Sequence, residues 1–286
     1  MTEEEWIGHR PAVFGAAYRL LGSVGDAEDV VQDVWLRAAA ADLSEVEDLR
    51  AWLVTVAARR CYDILRSARA RHETYVGPWL PEPLLTGPDA SAPVLVDESV
   101  STAMLLVMER LTPPERVAFV LHDVFDVPFA QIANVLGVTP AAARQLASRA
   151  RRRVAAIKER PRASRRERER VLTVFRSAYE AGDFKGLVEL LHPDAVYVTD
   201  GGGKVSAARK VIMGGERIAM VLSRVARQRR FGPHAPREVG GELALVVCRD
   251  ERITMVDTFD IAPDGRILAI RRVLNPDKLA HLTPAR

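Results

Sequence analysis

Between Phe129 and Val154 the chain reads FAQIANVLGVTPAAARQLASRARRRV: an apolar-striped segment, a glycine, and a second segment opening on Thr139-Pro140. Few backbones satisfy that order. Glycine supplies the left-handed residue that ends a helix. Thr139 can accept a hydrogen bond from the free amides of the next first turn, and Pro140 presets a helical φ where no donor is needed. The segment therefore reads as two helices joined by a tight turn, a helix-turn-helix. In its second helix Ala143, Ala147, Ala150 and Val154 recur at helical spacing, while Arg144, Gln145, Ser148, Arg149 and Arg152 fall on the other side. No acid occurs from Thr139 to Val154. A helix presenting arginine and glutamine outward can pair with base edges and neutralise phosphates, so these five residues are the first candidates for contact with a duplex.

The net charge of +3 over 286 residues conceals strong segregation. From Asp26 to Asp48 eight acids stand against Arg37, a net −7; from Leu49 to Arg71 six arginines stand against Asp63, a net +5; and Arg151 to Arg170 carries a net +7. Such a chain can offer one face to a basic protein and another to nucleic acid. An apolar content of 48% is enough for two or three domains with real cores. The two cysteines, Cys61 and Cys248, lie far apart and carry no metal-ligand spacing, so no metal or other cofactor is called for and a reduced, cytoplasmic setting is expected. The acidic start Met1-Thr-Glu-Glu-Glu-Trp6 is unlike a signal peptide, and no apolar run reaches membrane-span length, so no membrane association is expected.

Helical periodicity dominates the first half, at Trp6 to Leu21, Gly25 to Ala40 and Leu49 to Arg69, and defines an all-α domain over residues 1–71. Five prolines between His72 and Glu98 interrupt it and mark an extended linker over residues 72–98. Helices resume at Ser99 to Leu111, Pro114 to Asp123, Phe129 to Leu136 and Pro140 to Ile157, a second all-α domain over residues 99–160. Beyond it, Arg165 to Ala181 and Phe184 to Leu191 read as helices. Ala195 to Thr199, Glu242 to Cys248, Ile253 to Ile261 and Ile267 to Leu274 have the β-branched content of strands. Residues 165–286 are thus expected to form an α+β domain, an antiparallel sheet curled as a cone-shaped barrel on its helices, an architecture that commonly encloses a pocket.

The segments Asp26-Ala-Glu-Asp-Val-Val-Gln-Asp-Val-Trp-Leu-Arg37 and Leu49-Arg-Ala-Trp-Leu-Val-Thr-Val-Ala-Ala-Arg-Arg-Cys-Tyr-Asp-Ile-Leu-Arg66 resemble region 2 of the extracytoplasmic-function RNA polymerase sigma factors. Leu111-Thr-Pro-Pro-Glu-Arg-Val-Ala-Phe-Val120 with the helix-turn-helix is similar to region 4 of the same family. The resemblance implies a cytoplasmic factor that binds core RNA polymerase and directs promoter-specific initiation of transcription. It places Arg144, Gln145, Ser148, Arg149 and Arg152 at the −35 element. Arg59, Asp63, Arg66 and Arg69, which share one helical face, and Arg60 beside them would meet the −10 element. Asp26, Glu28, Asp29 and Asp33, acids on an apolar-striped helix, together with Gln32, suit docking on a basic surface of the polymerase. Residues 165–286 resemble the SnoaL-like branch of the NTF2-like fold, an extension carried by the SigJ-like subgroup. Three motifs carry that likeness: Trp79, Leu80, Pro81, Glu82, Pro83 and Leu84; Asp200, Gly201, Gly202, Gly203 and Lys204; and Asn275, Pro276, Asp277, Lys278 and Leu279. Trp79, Leu80 and Leu84 are too apolar for a simple spacer, so the linker is expected to dock on a surface. The glycine turn pairs a carboxylate with an ammonium and could bind the linker or a polar ligand, and Asn275 reads as a helix start. These motifs imply regulation in cis by the last domain.

Because related folds include isomerases and cyclases, a DNA-binding regulator with a ligand-binding or catalytic third domain is the alternative. Asp257, in phase with Ile253, Met255, Phe259 and Ile261, could project inward as an acid or base, although Arg271 or Arg272 on the next strand could satisfy it. His192 and His234 have no recognisable partner in sequence. A dimeric repressor would use the helix-turn-helix but leaves the region 2 resemblance unexplained. The chain is therefore expected not to be an enzyme.

Overall fold

The computed structural model describes residues 1–72, 75–86, 101–158, 163–228 and 234–282, with side chains left undescribed at 68–72 and 156–158. Its contacts divide the chain into two compact units, one joining Met1–Glu73 to Ser91–Glu159 and the other joining Thr74–Ala90 to Arg160–Arg286.

Among its described residues, the regular structure of the first unit is all helical. α1 (Glu3–Leu21) starts at a capping box between Thr2 and Glu5 and stops at left-handed Gly22; α2 (Val24–Ala40) starts on the Ser23 hydroxyl. With α3 (Leu49–His72) these helices bury Val13, Ala17, Leu20, Val30, Val34, Leu53, Ala57 and Cys61. α4 (Thr102–Glu109), α5 (Pro113–Phe119), α6 (Phe129–Leu136) and α7 (Pro140–Lys158) follow. The helix expected from Pro114 to Asp123 ends earlier as an α-helix, because α5 widens into a single π-helical turn over Val120–Val124. The two helical groups pack together: the buried Arg116 guanidinium donates to Leu20 O at 2.8 Å and to Glu109 at 2.7 Å.

The second unit packs α8 (Arg165–Ala181), α9 (Phe184–Leu190) and α10 (Gly215–Gln228) on a six-stranded sheet of order β2-β1-β6-β5-β4-β3. Its strands are β1 (Leu191–Asp200), β2 (Ile212–Met213), β3 (His234–Val239), β4 (Glu242–Arg249), β5 (Arg252–Ile261) and β6 (Ile267–Val273). Val171, Phe175, Tyr179, Ile218, Leu222, Leu245, Phe259 and Ile270 form the core between helices and sheet. The sheet is mixed where an antiparallel one was expected. β1 and β6 run parallel, Tyr197 opposite Ile270, because the chain returns through α10 and three further strands before lying beside β1.

Patterning missed three elements here. β2 has only two residues, and β3 holds Pro236 with two charges, a composition suited to an edge strand, which β3 is. α10 buries Ile218, Ala219, Leu222 and Ser223 on one stripe, but its arginines lower the mean apolarity that marks a core element. Asn275 caps α11 (Pro276–Leu279) as expected.

Candidate functional site

The helix-turn-helix forms as its chemistry dictates. α6 ends at Gly137 with φ 67°, and the Thr139 hydroxyl accepts from Ala142 N at 3.2 Å to start α7. Ala143, Leu146, Ala147, Ala150 and Val154 are buried, and Arg144, Gln145, Ser148, Arg149 and Arg152 are exposed. The exposed residues are not equivalent. Arg144 lies over the Phe129 ring, 5.2 Å from its centroid. Arg149 Nε donates to Glu115 Oε1 at 3.2 Å, and Arg153 Nη1 donates to Glu115 Oε2 at 2.8 Å. On the opposite flank Arg151 Nε donates to Asp123 at 2.5 Å. Burial opposes ionisation of Glu115, but hydrogen bonds from Thr112 and Arg149 and the charge of Arg153 outweigh it and hold the carboxyl below its ordinary value.

On α3, Arg59, Asp63 and Arg66 are exposed along one face, as their spacing requires. Arg59 donates to Asn134 O on α6 at 3.4 Å rather than pairing with Asp63, and Arg66 lies 5.8 Å from the Tyr62 ring centroid. Arg60 turns aside to Asp33 at 2.8 Å; the side chain of Arg69 lies outside the described residues. Of the acids on α2, Glu28 is held by Arg10 and Asp33 by Arg60, Asp26 is half-buried at the first turn, and Asp29 stands exposed, as does the neutral Gln32. Sequence reasoning missed two apolar neighbours. The Trp6 and Trp35 rings pack at a tilt, 5.3 Å between centroids, and the residues beside them, Ile7 and Leu36, are 64% and 65% exposed, a combination that a helical-face count of acids alone does not register.

The three remaining motifs meet at one carboxylate in the second unit. Asp200, at the end of β1, is fully buried. Its Oδ1 accepts from Tyr75 Oη at 2.5 Å and from Gly202 N at 3.1 Å, and its Oδ2 accepts from Leu80 N and from Lys278 Nζ, both at 2.8 Å. Lys278 also donates to Leu80 O at 2.5 Å and lies 4.1 Å from the Trp79 and 5.0 Å from the Tyr75 ring centroid. Its charge is thus met by a carboxylate, a carbonyl and two aromatic faces. Asn275 donates to Tyr75 Oη at 3.0 Å, and Lys204 pairs with Asp277 at 2.6 Å. Burial, then the Asp200 carboxylate, pushes the Tyr75 phenol well above its ordinary value, so it stays a donor.

Glycine is required at the turn. Gly202 has φ 59°, and a Cβ there would stand 2.3 Å from Asn275 Nδ2. Further along, Leu85 bridges Val239, Thr86 N donates to Glu238 O at 2.9 Å, and His281 Nε2 lies 2.8 Å from Pro83 O. Pro81, Pro83 and Leu279 are buried and Glu82 half-buried, while Gly201 is buried and Gly203 exposed. Tyr75, Thr86 and His281 were not anticipated; the aromatic ahead of the proline-rich stretch was the one available cue. A cavity of about 360 Å³ opens beside this clasp, lined by Val76, Gly77, Gly203, Lys204, Ser206 and Arg209.

Asp257 does project inward, but Arg272 takes both its oxygens at 2.8 and 2.6 Å and also donates to Tyr179 Oη at 3.0 Å, with neither charge more than 1% exposed. Arg271 pairs with Asp260 instead. His234 is buried with Nδ1 3.2 Å from Glu180, and desolvation lowers its pKa; His192 sits beside Asp194.

Residues 7–71 match Sigma-70 region 2 and residues 101–154 match Sigma-70, region 4. The chain is 41% identical to the ECF RNA polymerase sigma factor SigJ of Mycobacterium tuberculosis over 97% of its own length and 93% of that protein. It is 33% identical to the probable ECF RNA polymerase sigma factor SigI of the same species, over 77% of this chain and 75% of that one. The crystal structure of SigJ superposes over the whole of both chains with a TM-score of 0.78 at 38% identity. Among the described residues no helix is long and apolar enough to cross a membrane. On this identity and coverage, the chain belongs to the extracytoplasmic-function RNA polymerase sigma factors, with a third, α+β sheet domain following the two sigma regions in sequence.

Proposed function

We propose that this sigma factor is regulated in cis by its third domain, which grips the linker between the two DNA-binding regions. The observation that carries the reading is the Asp200–Lys278 pair closed around Leu80, where a strand end, the tail helix and the linker share one buried carboxylate. The linker is bound through its backbone N–H and C=O as well as through the Tyr75 and Trp79 rings, so its departure breaks the hydrogen bonds that complete the shells of a buried ion pair. Because the gripped segment lies in the same chain, even weak contacts act at high effective concentration.

The −35 element is read by the exposed face of α7 and the −10 element by the exposed face of α3, with Asp29, Gln32 and the neighbouring apolar residues of α2 against core polymerase. A small molecule in the cavity at Val76 and Gly203 would touch linker and glycine turn together and act on the same clasp. The relatives are sigma factors, which are initiation factors rather than enzymes. Asp257, the candidate acid or base, is consumed by Arg272.

Run-off transcription with core polymerase tests the reading, using the full chain, a chain ending at Leu274, and Trp79→Ala. Changed promoter output with unchanged core binding is expected for both variants. Equal output from all three rejects regulation in cis.

A further inference from the structure

The face of α7 divides by geometry. At 3.6 residues per turn, Arg144, Gln145, Ser148 and Arg152 cluster about one direction, Arg149 and Arg153 lie on one flank, and Arg151 lies on the other. Each flank is met by a carboxylate from the preceding helical segment. Glu115 on α5 is 4% exposed, takes Arg149 and Arg153 on separate oxygens, and also accepts Thr112 N at 3.1 Å. Asp123 takes Arg151.

From this arrangement we infer that Glu115 is a specificity-setting residue of the −35 interface: it commits Arg149 and Arg153 to orienting the recognition helix and keeps both guanidinium groups off the DNA. Base readout then falls to Arg144, Gln145, Ser148 and Arg152, and Arg149 reads no base. Rotation of α7 about its own axis would have to break ion pairs on both flanks, so the crest is presented at one angle. The inference rests on the assignment of α7 to the −35 element.

Holoenzyme binding to a promoter and a panel of single −35 substitutions, measured by fluorescence anisotropy across salt concentrations, tests it. Arg149→Ala should lower affinity on every promoter by a similar factor, leaving both the rank order and the salt slope as in the parent. Glu115→Gln retains an acceptor for Thr112 N and frees two arginines. It should steepen log K against log salt by about 0.9 for each arginine that reaches a phosphate, and reorder the promoter panel. A purely structural Glu115 would lower affinity with the slope unchanged, which overturns the inference. So would a loss of preference at one −35 position, or a slope lower by about 0.9, in Arg149→Ala, because either shows Arg149 leaving Glu115 for the DNA. Gln145→Ala separates the two levels of argument: no change of preference from it, with Arg144→Ala also silent, removes the −35 assignment itself. Arg149→Ala keeps the test decisive should Glu115→Gln fail to fold.

Discussion

Two buried carboxylates, Glu115 and Asp200, each gather cations, and it is the exposure of those cations that differs. Glu115 is buried, but its arginines Arg149 and Arg153 are 46% and 52% exposed, so water can take over whichever guanidinium contact is released. Asp200 and Lys278 are 0% and 7% exposed, and the linker backbone completes both their shells. Half-exposed pairs contribute at most about 1 kcal/mol, whereas removing one partner of a buried pair costs about 3–5 kcal/mol. The same chemistry therefore yields an adjustable contact at α7 and a committed one at the linker. One can be loosened at small cost; the other ties a segment of chain to a buried ion pair.

Asp200→Ala breaks the comparison most directly. It leaves the Lys278 ammonium facing a carbonyl and two rings with no counter-charge, and should cost about 3–5 kcal/mol of protection at the Leu80 amide in native-state hydrogen exchange. Adding Lys278→Met should restore part of that loss, since the stranded charge is removed with its partner. Protection within about 1 kcal/mol of the parent would place the clasp in the same class as the Glu115 contacts.

What could be read from sequence follows the reach of each interaction. The helix-turn-helix was legible to its cap because Gly137 ends α6 and Thr139 caps Ala142 within six residues. The fully paired inward aspartate was also legible as a choice between two adjacent arginines, and Arg272 proved to be the partner. The clasp was visible only as three separate motifs. Nothing in local spacing brings Tyr75 to Asp200, 125 positions away, or Lys278 to Leu80, 198 away. The division of α7 into crest and flanks was hidden for the same reason: the acids that claim Arg149 and Arg151 lie 34 and 28 positions upstream. The parallel β1–β6 pairing depends on the whole path between them.

The two turns sharpen the contrast at smaller energies. Gly202 and Gly137 both hold positive φ, at 59° and 67°, so alanine at either meets a left-handed backbone cost of roughly 1–2 kcal/mol. At Gly137 no atom lies within 4 Å of an added Cβ, while at Gly202 the Asn275 amide stands in its place. Gly202→Ala should therefore destabilise its unit by more than about 2 kcal/mol and loosen Tyr75, and Gly137→Ala should stay within the backbone cost. Urea titrations of both variants decide this; equal losses would mean that Asn275 moves aside freely. Below these comes Thr139→Ala, which removes the cap of α7 and should cost about 1 kcal/mol. An unchanged urea midpoint would show that Pro140 alone starts the helix.

The smallest expected effect separates the two units by pH. Desolvation lowers the folded pKa of His234 in the sheet unit, with the Arg272 charge acting the same way, so the unfolded chain binds a proton near the ordinary value of 6.5 before the folded unit does. Its contribution to stability is complete above about pH 6.5 and declines as pH falls from there towards the folded value. Glu115 in the helical unit also has a lowered folded pKa, but its reference value is 4.5; its contribution is present above that pH and is lost only as pH falls through the folded value. Acidification from pH 7 should thus weaken the sheet unit first and the helical unit later. Calorimetric scans between pH 8 and pH 4 on the parent and His234→Asn measure the separation. The substitution should flatten the pH dependence of the sheet-unit transition just below pH 6.5 and leave the helical transition unmoved. Identical profiles for parent and variant would show that another group carries the acid sensitivity and that burial of this histidine is not linked to the stability of the sheet.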